Sequence, residues 1–360
     1  MARILIGMDV HKRSVYITEM EENGDVLEQY EIKNDEISWN EFRERYISLK
    51  PEIALEVSTS GKYVARKLRD MGFSIHMADP VKLALIFNTA KKNDKEDSYK
   101  LAKLLRLNEL PEVYIPSMES DDLRSITRYR KSIGEEITAL KNRIHALLAG
   151  YGIKIDATDI FGRKGIAQIH YSYGKLSDSH RYILSAIIER ISYLKKHAMD
   201  VEDQISKMVL DNEDVRRIMS IPGINVYSAS VIMAEIDSVS RFGSREKLAA
   251  YAGLTPRQNQ SGNMDIKGHI TKHGPSMLRF ILVNAAHIVI KYSKRMRSKY
   301  LSLVRRLGRN RSMVAIARIL LETIFVMLKK GVDFIDQIDS LTERKIKSME
   351  KRTENKGQGP

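Results

Sequence analysis

"RILIGMDVHK", residues 3–12, places an aspartate directly after a short apolar run. The segment from Ile4 to Met8 has the length and apolar character of a buried strand. Asp9 follows at once, and a carboxylate beside a buried strand is costly unless a partner compensates for its charge. The stretch therefore predicts a strand that carries a functional acid.

The segments that follow predict an α/β domain around this strand. Short runs rich in β-branched residues, separated by polar turns, indicate further strands. Three strands in a meander, followed by strands linked through helices, predict a mixed sheet with helices on its faces. The other predicted strands are SVYITEM (14–20), VLEQYEI (26–32), EIALEVS (52–58) and FSIHMADP (73–80), with helices near 36–50 and over KYVARKLRDMG (62–72).

Glu56 is a candidate partner for Asp9, because the first and fourth strands are natural parallel neighbours and each carries one acid. Asp94 and Asp97 are three residues apart at the start of a predicted helix, which places them on one face. Carboxylates that converge repel one another unless a cation lies between them. Four such acids suit two Mg²⁺ or Mn²⁺ ions, an arrangement used in phosphoryl transfer. Alternatively, Asp94 is an N-cap, Asp97 stabilises the helix dipole, and Glu56 ends a solvated strand.

Composition narrows the class of protein. The 360 residues carry a formal net charge of +14, which favours a polyanionic partner, with nucleic acid first and an anionic membrane surface second. The absence of cysteine excludes disulfides, thiolate zinc sites and a thiol nucleophile. Neither a signal-peptide pattern nor an apolar run long enough to span a bilayer is found, so we expect a soluble cytoplasmic protein.

The second half of the sequence predicts mainly helices. Apolar residues recur at three- and four-residue steps from 118 and again over 177–211, which predicts an antiparallel coiled-coil arm around an irregular segment; two helices of a bundle are the alternative. A polar tail is expected to be disordered. The predicted division is an α/β domain over 1–117, the arm over 118–212, a mainly helical domain over 213–340 and a disordered tail over 341–360.

Two segments of the helical domain are candidates for phosphate binding. IMSIPGINVYSASVIMAEI (218–236) predicts two helices joined at Gly223, resembling a helix-hairpin-helix, in which backbone N–H groups hold a phosphate; a plain turn is the alternative. Residues 291–311 contain nine Lys or Arg and no acid, including Arg305, Arg306 and Arg309. That density predicts a nucleic-acid contact surface, or else a solvated helix face.

A long polar, Gly-rich segment, residues 249–280, predicts a functional loop between two apolar helices. Ser261 precedes a glycine there, and Lys267, Lys272 and Arg279 are available to neutralise phosphate. A serine nucleophile needs such a charge-stabilising environment. His269 and His273 are four residues apart and allow a metal site, a phosphate contact or a plain turn.

These motifs together resemble the transposases of the insertion-sequence family numbered one hundred and ten (IS110), the DEDD recombinases related to the Piv invertases. The resemblance covers nearly the whole chain. It is carried in family order by GMDVHK (7–12), LEVSTSG (55–61), KNDKEDSYKLAKLL (92–105), IPGI (221–224) and YAGLTPRQNQSGNMDIKGHITKHGPSMLR (251–279).

The resemblance implies a RuvC-like, RNase H-type domain, a coiled-coil arm and a C-terminal transposase domain. It implies that Asp9, Glu56, Asp94 and Asp97 hold magnesium and that Ser261 is the nucleophile, forming a phosphoserine with DNA. Members of the family are guided by a structured bridge RNA that pairs with donor and target DNA, and they form dimers that assemble into tetramers. Two serines often precede the glycine in the family, whereas Gln260 and Ser261 stand here.

Two rival functions remain open from the sequence. A metal-dependent, RuvC-like structure-specific endonuclease would use water and would need the four acids but not Ser261. A non-catalytic nucleic-acid scaffold would suit the basic charge but would not need aligned carboxylates. If another residue were the nucleophile, Ser276, Thr271 and Tyr251 are the candidates.

Overall fold

The structure is a computed structural model that describes residues 3–86, 93–157, 160–261 and 264–354, without the side chains of 258–267. The chain divides into two compact units, one ending at Ile115 and the other beginning at Pro116. A five-stranded mixed sheet forms the first unit, and helices dominate the second, so the expected mixed α/β class is confirmed. The finer division into domains at 117, 212 and 340 stays a prediction.

The first unit contains the five strands and the helices that the sequence predicts. In the sheet, β1 lies at the centre of the order β3-β2-β1-β4-β5; it pairs antiparallel with β2 and parallel with β4, as expected. The elements are β1 (Ile4–Val10), β2 (Ser14–Glu21), β3 (Val26–Lys33), α1 (Glu36–Tyr46), β4 (Glu52–Glu56), α2 (Thr59–Asp70), β5 (Ser74–Ala78), α3 (Pro80–Ile86) and α4 (Asp94–Arg106).

The two faces of β1 bury different neighbours, because side chains alternate along a strand. Ile6 and Met8 lie in a cluster that includes Phe42 of α1 and residues of α2. Leu5 faces the other way and lies in a cluster with Leu101 of α4. The sheet is therefore covered on both faces, and α4 lies on the face to which Asp9 belongs by the same alternation.

Gly7 allows α4 to lie directly on β1. A Cβ atom at this position would lie 2.0 Å from the backbone oxygen of Ser98 and 2.6 Å from the backbone nitrogen of Ala102. Any side chain at residue 7 would therefore push the helix away from the strand. This close approach brings the first turn of α4 next to the end of β1.

The second unit is built from long helices and one small hairpin. Its elements are α5 (Met118–Gly150), α6 (Arg163–Tyr171), α7 (Asp178–Met208), α8 (Glu213–Met219), α9 (Val226–Ile236), α10 (Arg245–Tyr251), β6 (Pro256–Ser261), β7 (Met264–Ile270), α11 (Ser276–Tyr292), α12 (Lys294–Leu307), α13 (Arg309–Lys330) and α14 (Asp339–Glu354). Buried residues of α9, α11 and α13 belong to its main core.

Helices α5 and α7 lie side by side and run in opposite directions. Arg130 Nε donates to Glu202 at 2.9 Å, and Arg190 Nε donates to Glu136 at 2.9 Å, so rising numbers in one helix meet falling numbers in the other. Apolar residues of the predicted stripes are buried between them, among them Ile133, Leu140, Ile144, Leu184 and Ile191. The antiparallel pairing agrees with the sequence pattern, and the coiled-coil arm itself stays a prediction.

The turn between α8 and α9 packs tightly on α11. Gly223 has φ +90°, and a Cβ there would lie 2.5 Å from Cβ of Ile288. Asn225 caps α9 by accepting a hydrogen bond from the backbone N–H of Ser228 at 2.9 Å. Packing and backbone conformation therefore explain this glycine, and phosphate binding at the turn stays a prediction.

Two expectations about irregular segments are wrong. The segment predicted as a long loop contains the antiparallel hairpin β6–β7, in which Ser261 pairs with Met264. The tail predicted as disordered from residue 341 is helical as far as Glu354, within α14; residues 355–360 lie outside the described chain.

Contacts along α14 explain why the polar tail is ordered. Met349 is buried, and Arg352 Nη1 lies 3.1 Å from Asp203 on α7. Lys345 Nζ donates to the backbone oxygens of Met219 and Ile221, at 2.6 and 2.8 Å. None of the helices within the described ranges is long and apolar enough to cross a membrane.

Candidate active site

Asp9 lies at the end of β1 with a largely buried side chain, about one-fifth exposed. Burial raises the pKa of its carboxyl; His11 lowers this pKa, and the charges of Asp94 and Asp97 raise it. Asp94 and Asp97 are therefore close enough to act on Asp9 electrostatically. The structure thus brings Asp94 and Asp97 within electrostatic reach of Asp9, whose carboxyl lies in an environment that disfavours its negative charge.

His11 lies between two of the acids. Its Nε2 atom is 3.3 Å from Oδ2 of Asp9 and 3.3 Å from Oδ2 of Asp94. One possible ligand atom from each of the three residues lies within 4.8 Å of the other two. Among the described side chains, no other group of three His, Asp or Glu residues converges in this way.

The first turn of α4 supplies Asp94 and Asp97. Asn93 is the N-cap, accepting a hydrogen bond from the backbone N–H of Lys95. The alternative that Asp94 is the N-cap is therefore wrong, and its carboxylate is directed to the cluster instead. Asp97 lies one turn further along and accepts a contact from Lys100 Nζ at 3.1 Å.

Glu56 is the last residue of β4, on the strand next to Asp9. Met8 pairs with Leu55, so the following residues, Asp9 and Glu56, are neighbours in the parallel register. Ala54 is buried on the α4 face, and alternation assigns Glu56 to that face as well. The side chain of Glu56 is exposed. The strand places it beside Asp9 without bringing it into the cluster of Asp9, His11 and Asp94.

Residues 58–61, which follow β4, form the cap and first turn of helix α2, next to Glu56. Ser58 accepts a hydrogen bond from the backbone N–H of Gly61 at 2.8 Å and so caps α2. A Cβ at Gly61 would lie 2.3 Å from the backbone oxygen of Glu56. The turn therefore needs glycine at residue 61, which explains the sequence STSG after the acid.

This donor set fits a divalent cation. Carboxylate oxygens suit Mg²⁺ and Mn²⁺, and an imidazole nitrogen also suits Mn²⁺ and softer divalent ions. Burial, together with the charges of Asp94 and Asp97, raises the pKa of Asp9 and so disfavours its charged form. A bound cation would stabilise that charged form.

Two family models match separate parts of the chain. One, described as "Transposase IS116/IS110/IS902 family", matches residues 215–301; the other, the DEDD model of IS110 described as "Transposase", matches residues 6–153. The chain belongs to the IS110 family of transposases. Members of such a family act on DNA, and the DEDD group uses acids with divalent metal, which agrees with the cluster at Asp9.

Curated relatives match along most of the chain. The transposase of insertion sequence element IS1111A from Coxiella burnetii is 24% identical over 324 residues, 87% of this chain and 86% of the relative. A "Probable family 20 transposase" from Pseudomonas aeruginosa is 25% identical over 79% of this chain and 84% of its own length. The transposase of IS1328 from Yersinia enterocolitica is 22% identical over 80% of this chain and 84% of its own length.

The hairpin of this IS110-family chain carries Ser261 at the end of β6. The side chains of Ser261 and Lys267 lie outside the described part, so their contacts are not assigned. Glycines hold the base of the hairpin together: a Cβ at Gly253 would lie 2.1 Å from the backbone oxygen of His273, and one at Gly274 would lie 1.9 Å from that of Tyr251. The backbone segments on the two sides of the hairpin therefore lie in close contact at its base.

Arg279 reinforces the base of the hairpin through contacts with backbone carbonyls. Its Nη1 atom donates to the backbone oxygens of Ala252, His273 and Gly274, at 3.0, 3.2 and 3.0 Å. Burial lowers the pKa of its guanidinium. The sequence predicts that Arg279 contacts phosphate. In the structure its guanidinium is already bonded to these three carbonyls, so a phosphate would compete with them.

The other predicted basic contacts lie on the surface. Lys272 is exposed with φ +56°. Arg305, Arg306 and Arg309 are exposed on or next to α12, and none forms an ion pair with a described acid. His269 and His273 are exposed, and neither joins a ligand group of three within the described side chains.

Two functional positions were not predicted from the sequence as parts of the cluster, His11 and Gly7. His11 follows Asp9 by two residues, the spacing that keeps side chains on one face of an extended chain. That spacing is the signal that would have found it. Gly7 carries no such signal, because its role depends on a helix that lies about 90 residues away in the sequence.

Proposed function

We propose that this IS110-family transposase is an RNA-guided DNA recombinase that cuts and rejoins strands through a phosphoserine at Ser261. The first unit acts as a RuvC-like domain in this proposal, with Asp9, Glu56, Asp94 and Asp97 holding Mg²⁺ or Mn²⁺. The single observation that carries it is the convergence of Asp9, His11 and Asp94 at the end of β1. Such acids have a direct use in phosphoryl transfer on DNA.

The bound ions would neutralise charge that develops on the transferring phosphoryl group. The protein's own residues have separate tasks. Asp9 and Glu56 would hold the ions from adjacent strands, Asp94 and Asp97 would hold them from α4, and the close contact at Gly7 keeps the two elements in place. Lys100 supports the carboxylate of Asp97.

The proposed chemistry of Ser261 is an exchange of one phosphodiester bond for another. The Oγ atom forms a bond to phosphorus and loses its proton, while the bond to a sugar oxygen breaks and that oxygen gains a proton. The reverse step, with a hydroxyl of a different strand, frees the serine and joins the strands. Both ester bonds are of similar energy, so no external energy source is needed.

The proposed partners follow from family membership and charge. A formal net charge of +14 and the basic region 291–311 suit donor and target DNA and a structured bridge RNA. We further propose a dimer that assembles into a tetramer, a coiled-coil arm over 118–212, a transposase domain over 213–340, and a cytoplasmic location at the bacterial nucleoid.

The test is a search for a covalent adduct. Purified full-length protein, its element's non-coding RNA and end-labelled DNA are incubated with Mg²⁺, denatured, and separated by electrophoresis. We expect labelled DNA to migrate with the wild-type protein and with Ser276→Ala, but not with Ser261→Ala. Persistence of the adduct in Ser261→Ala would move the nucleophile to another residue, with Thr271 and Tyr251 as the first candidates.

A water-using nuclease is the second candidate, because Asp9, His11 and Asp94, which form the acid cluster, all belong to the first unit. It predicts Mg²⁺-dependent cleavage by wild type and by Ser261→Ala alike, with no adduct in either. A scaffold predicts intact DNA throughout. Omitting the RNA tests the guide: cleavage at the same sites without RNA would contradict RNA guidance.

A further inference from the structure

We propose that a cavity beneath the β6–β7 hairpin receives one unpaired nucleotide of the DNA strand, with its base inserted. This proposal deepens the proposed function, on which it rests for the identity of the substrate. The cavity has a volume of about 540 Å³ and lies entirely within the second unit. That volume is within the range of about 300–1,000 Å³ typical of small-ligand sites.

Apolar side chains make up much of the cavity lining. Leu254 and Ile270 contribute from the base of the hairpin, Leu303 and Leu307 from α12, and Val314 from α13. Leu254 is buried, and the other four are half-buried, so they present their remaining surface to the cavity. A ligand that fills it must therefore have an apolar face of its own.

Positively charged side chains also line the cavity. Arg306, Arg311 and Arg318 line the cavity, and no acidic residue of the described chain does. Arg318 pairs with Glu322 at 2.7 Å, whereas Arg306 and Arg311 form no ion pair with a described acid. Among the described residues, the lining therefore combines apolar side chains with two arginines, Arg306 and Arg311, that form no ion pair.

A nucleotide has the matching chemistry. Its base is flat and largely apolar on its faces, and its phosphate is anionic. Unpaired bases stack on apolar side chains and on guanidinium planes, while phosphates pair with Arg. A paired base is held within the duplex stack and would have to leave it to enter such a pocket.

The position of the cavity favours DNA as the source of that nucleotide. Gly268 and His269 of β7 line it, and β7 pairs along β6, whose last residue is Ser261. One hairpin thus contributes both to the cavity wall and to the strand that ends at the proposed nucleophile. A base held here would anchor the strand that is presented to Ser261.

The test compares DNA duplexes that differ by one base. Full-length protein is titrated, with chelator present to prevent cleavage, against a labelled duplex containing one bulged thymidine. The second duplex has an abasic site at the bulge. We expect wild type to bind the bulged thymidine about tenfold more tightly than the abasic bulge.

Variants then assign that preference to the cavity. Ala315→Phe, which fills the cavity from α13, should bring the two affinities within about twofold of each other. Arg306→Gln should also reduce the preference. Its control, Arg305→Gln, changes the adjacent residue, which lines a different groove on α12. This control should weaken both duplexes equally and leave the preference unchanged.

Three outcomes would overturn the proposal: equal binding of both duplexes by wild type, an unchanged preference in both Ala315→Phe and Arg306→Gln, or a preference confined to the corresponding RNA duplexes. The adduct experiment is independent of this one. A base preference without an adduct would support the cavity and contradict the phosphoserine, and an adduct without a preference would do the reverse.

Discussion

Single residues decide whether the acid cluster can form. Asp9 and His11 extend from one strand end, Asp94 comes from a helix, and Gly7 is the contact that lets the helix approach. Asp9, His11 and Asp94 supply the chemical groups, but the distances between these groups depend on Gly7, which has no side chain. Substitution of a ligand side chain should therefore change metal binding, whereas substitution of Gly7 should also lower the free energy of unfolding.

Removing the charge of Asp9 should abolish stabilisation by metal. A cation that binds only the folded state raises the free energy of unfolding by about 2.7 kcal/mol at 100 times its dissociation constant. We expect Mn²⁺ to raise the melting temperature of wild type but not of Asp9→Asn, as measured by circular dichroism. An equal rise in Asp122→Asn and Asp9→Asn would show that the ion binds elsewhere.

His11 should set which ion is preferred. An imidazole nitrogen adds more affinity for Mn²⁺ than for Mg²⁺, because Mg²⁺ prefers oxygen ligands. We expect His11→Ala to weaken Mn²⁺ binding several-fold and to leave Mg²⁺ binding nearly unchanged, as measured by calorimetry. Equal weakening of both ions would mean that His11 only orients the carboxylates.

Gly7→Ala should separate α4 from β1. The added methyl group would meet backbone atoms of Ser98 and Ala102, and overpacking of this kind costs about 1–3 kcal/mol. We expect a lower free energy of unfolding in urea and loss of the Mn²⁺ effect. Gly134→Ala is the control: the atom nearest to a Cβ at this position is Nη1 of the flexible Arg130 side chain, at 3.6 Å, so alanine should stabilise α5 by about 0.5–1 kcal/mol.

At the scale of elements, those with strong apolar patterns were predictable and those without were not. The five strands of the first sheet and the long helices α5 and α7 follow from periodicity, because each buries a regular set of side chains. PRQNQS and MDIKGHI do not alternate clearly between apolar and polar residues, so the sequence predicts a loop where the structure has a hairpin. The order of α14 depends on long-range contacts of Lys345 and Arg352, which leave no local pattern.

The hairpin base gives a prediction about Arg279. Removing its guanidinium leaves three carbonyls without the nitrogen that they share as a donor, and a hydrogen bond to a charged group contributes about 1.5–3 kcal/mol. We expect Arg279→Ala to lower stability and abolish the adduct while the salt dependence of DNA affinity stays as in wild type. A shallower salt dependence in Arg279→Ala would instead support the phosphate contact that the sequence predicts for this residue.

Helix α14 gives a prediction about pH. Burial lowers the pKa of Lys345 to about 8, below the 10.5 of an exposed lysine. Between these values the unfolded chain binds more protons than the folded one, so the free energy of unfolding should rise as the pH rises from about 8 to 10.5. Urea unfolding at several pH values should show this rise in wild type and in Lys347→Met, but not in Lys345→Met.

At the scale of the whole molecule, charge is the property that composition predicted most directly. The net charge of +14 is concentrated in part on the region 291–311, where α12 exposes basic side chains with no acid among them. Composition indicates a polyanionic partner. It does not distinguish DNA from RNA, because both present phosphates at the surface.

Neutralising Arg305, Arg306 and Arg309 with Gln should weaken DNA binding and reduce its dependence on salt. Each lost phosphate contact lowers the slope of log affinity against log salt by about 0.9. Fluorescence anisotropy from low to moderate salt measures this slope. The triple variant of Arg344, Lys347 and Lys351 to Gln, on α14, makes the same change in net charge. Equal slopes in the two triple variants would contradict a specific contact surface at α12.

Helix α14 is far along the sequence from the turn that it supports, and this order has a consequence for biosynthesis. Lys345 lies 126 residues after Met219, whose backbone oxygen it binds. At about 5–20 residues per second, the ribosome makes the turn roughly 6–25 seconds before its partner. During that interval the nascent chain carries these carbonyls without their lysine. The contacts of Lys345 with the turn can therefore form only after the acid-bearing first unit has been synthesised.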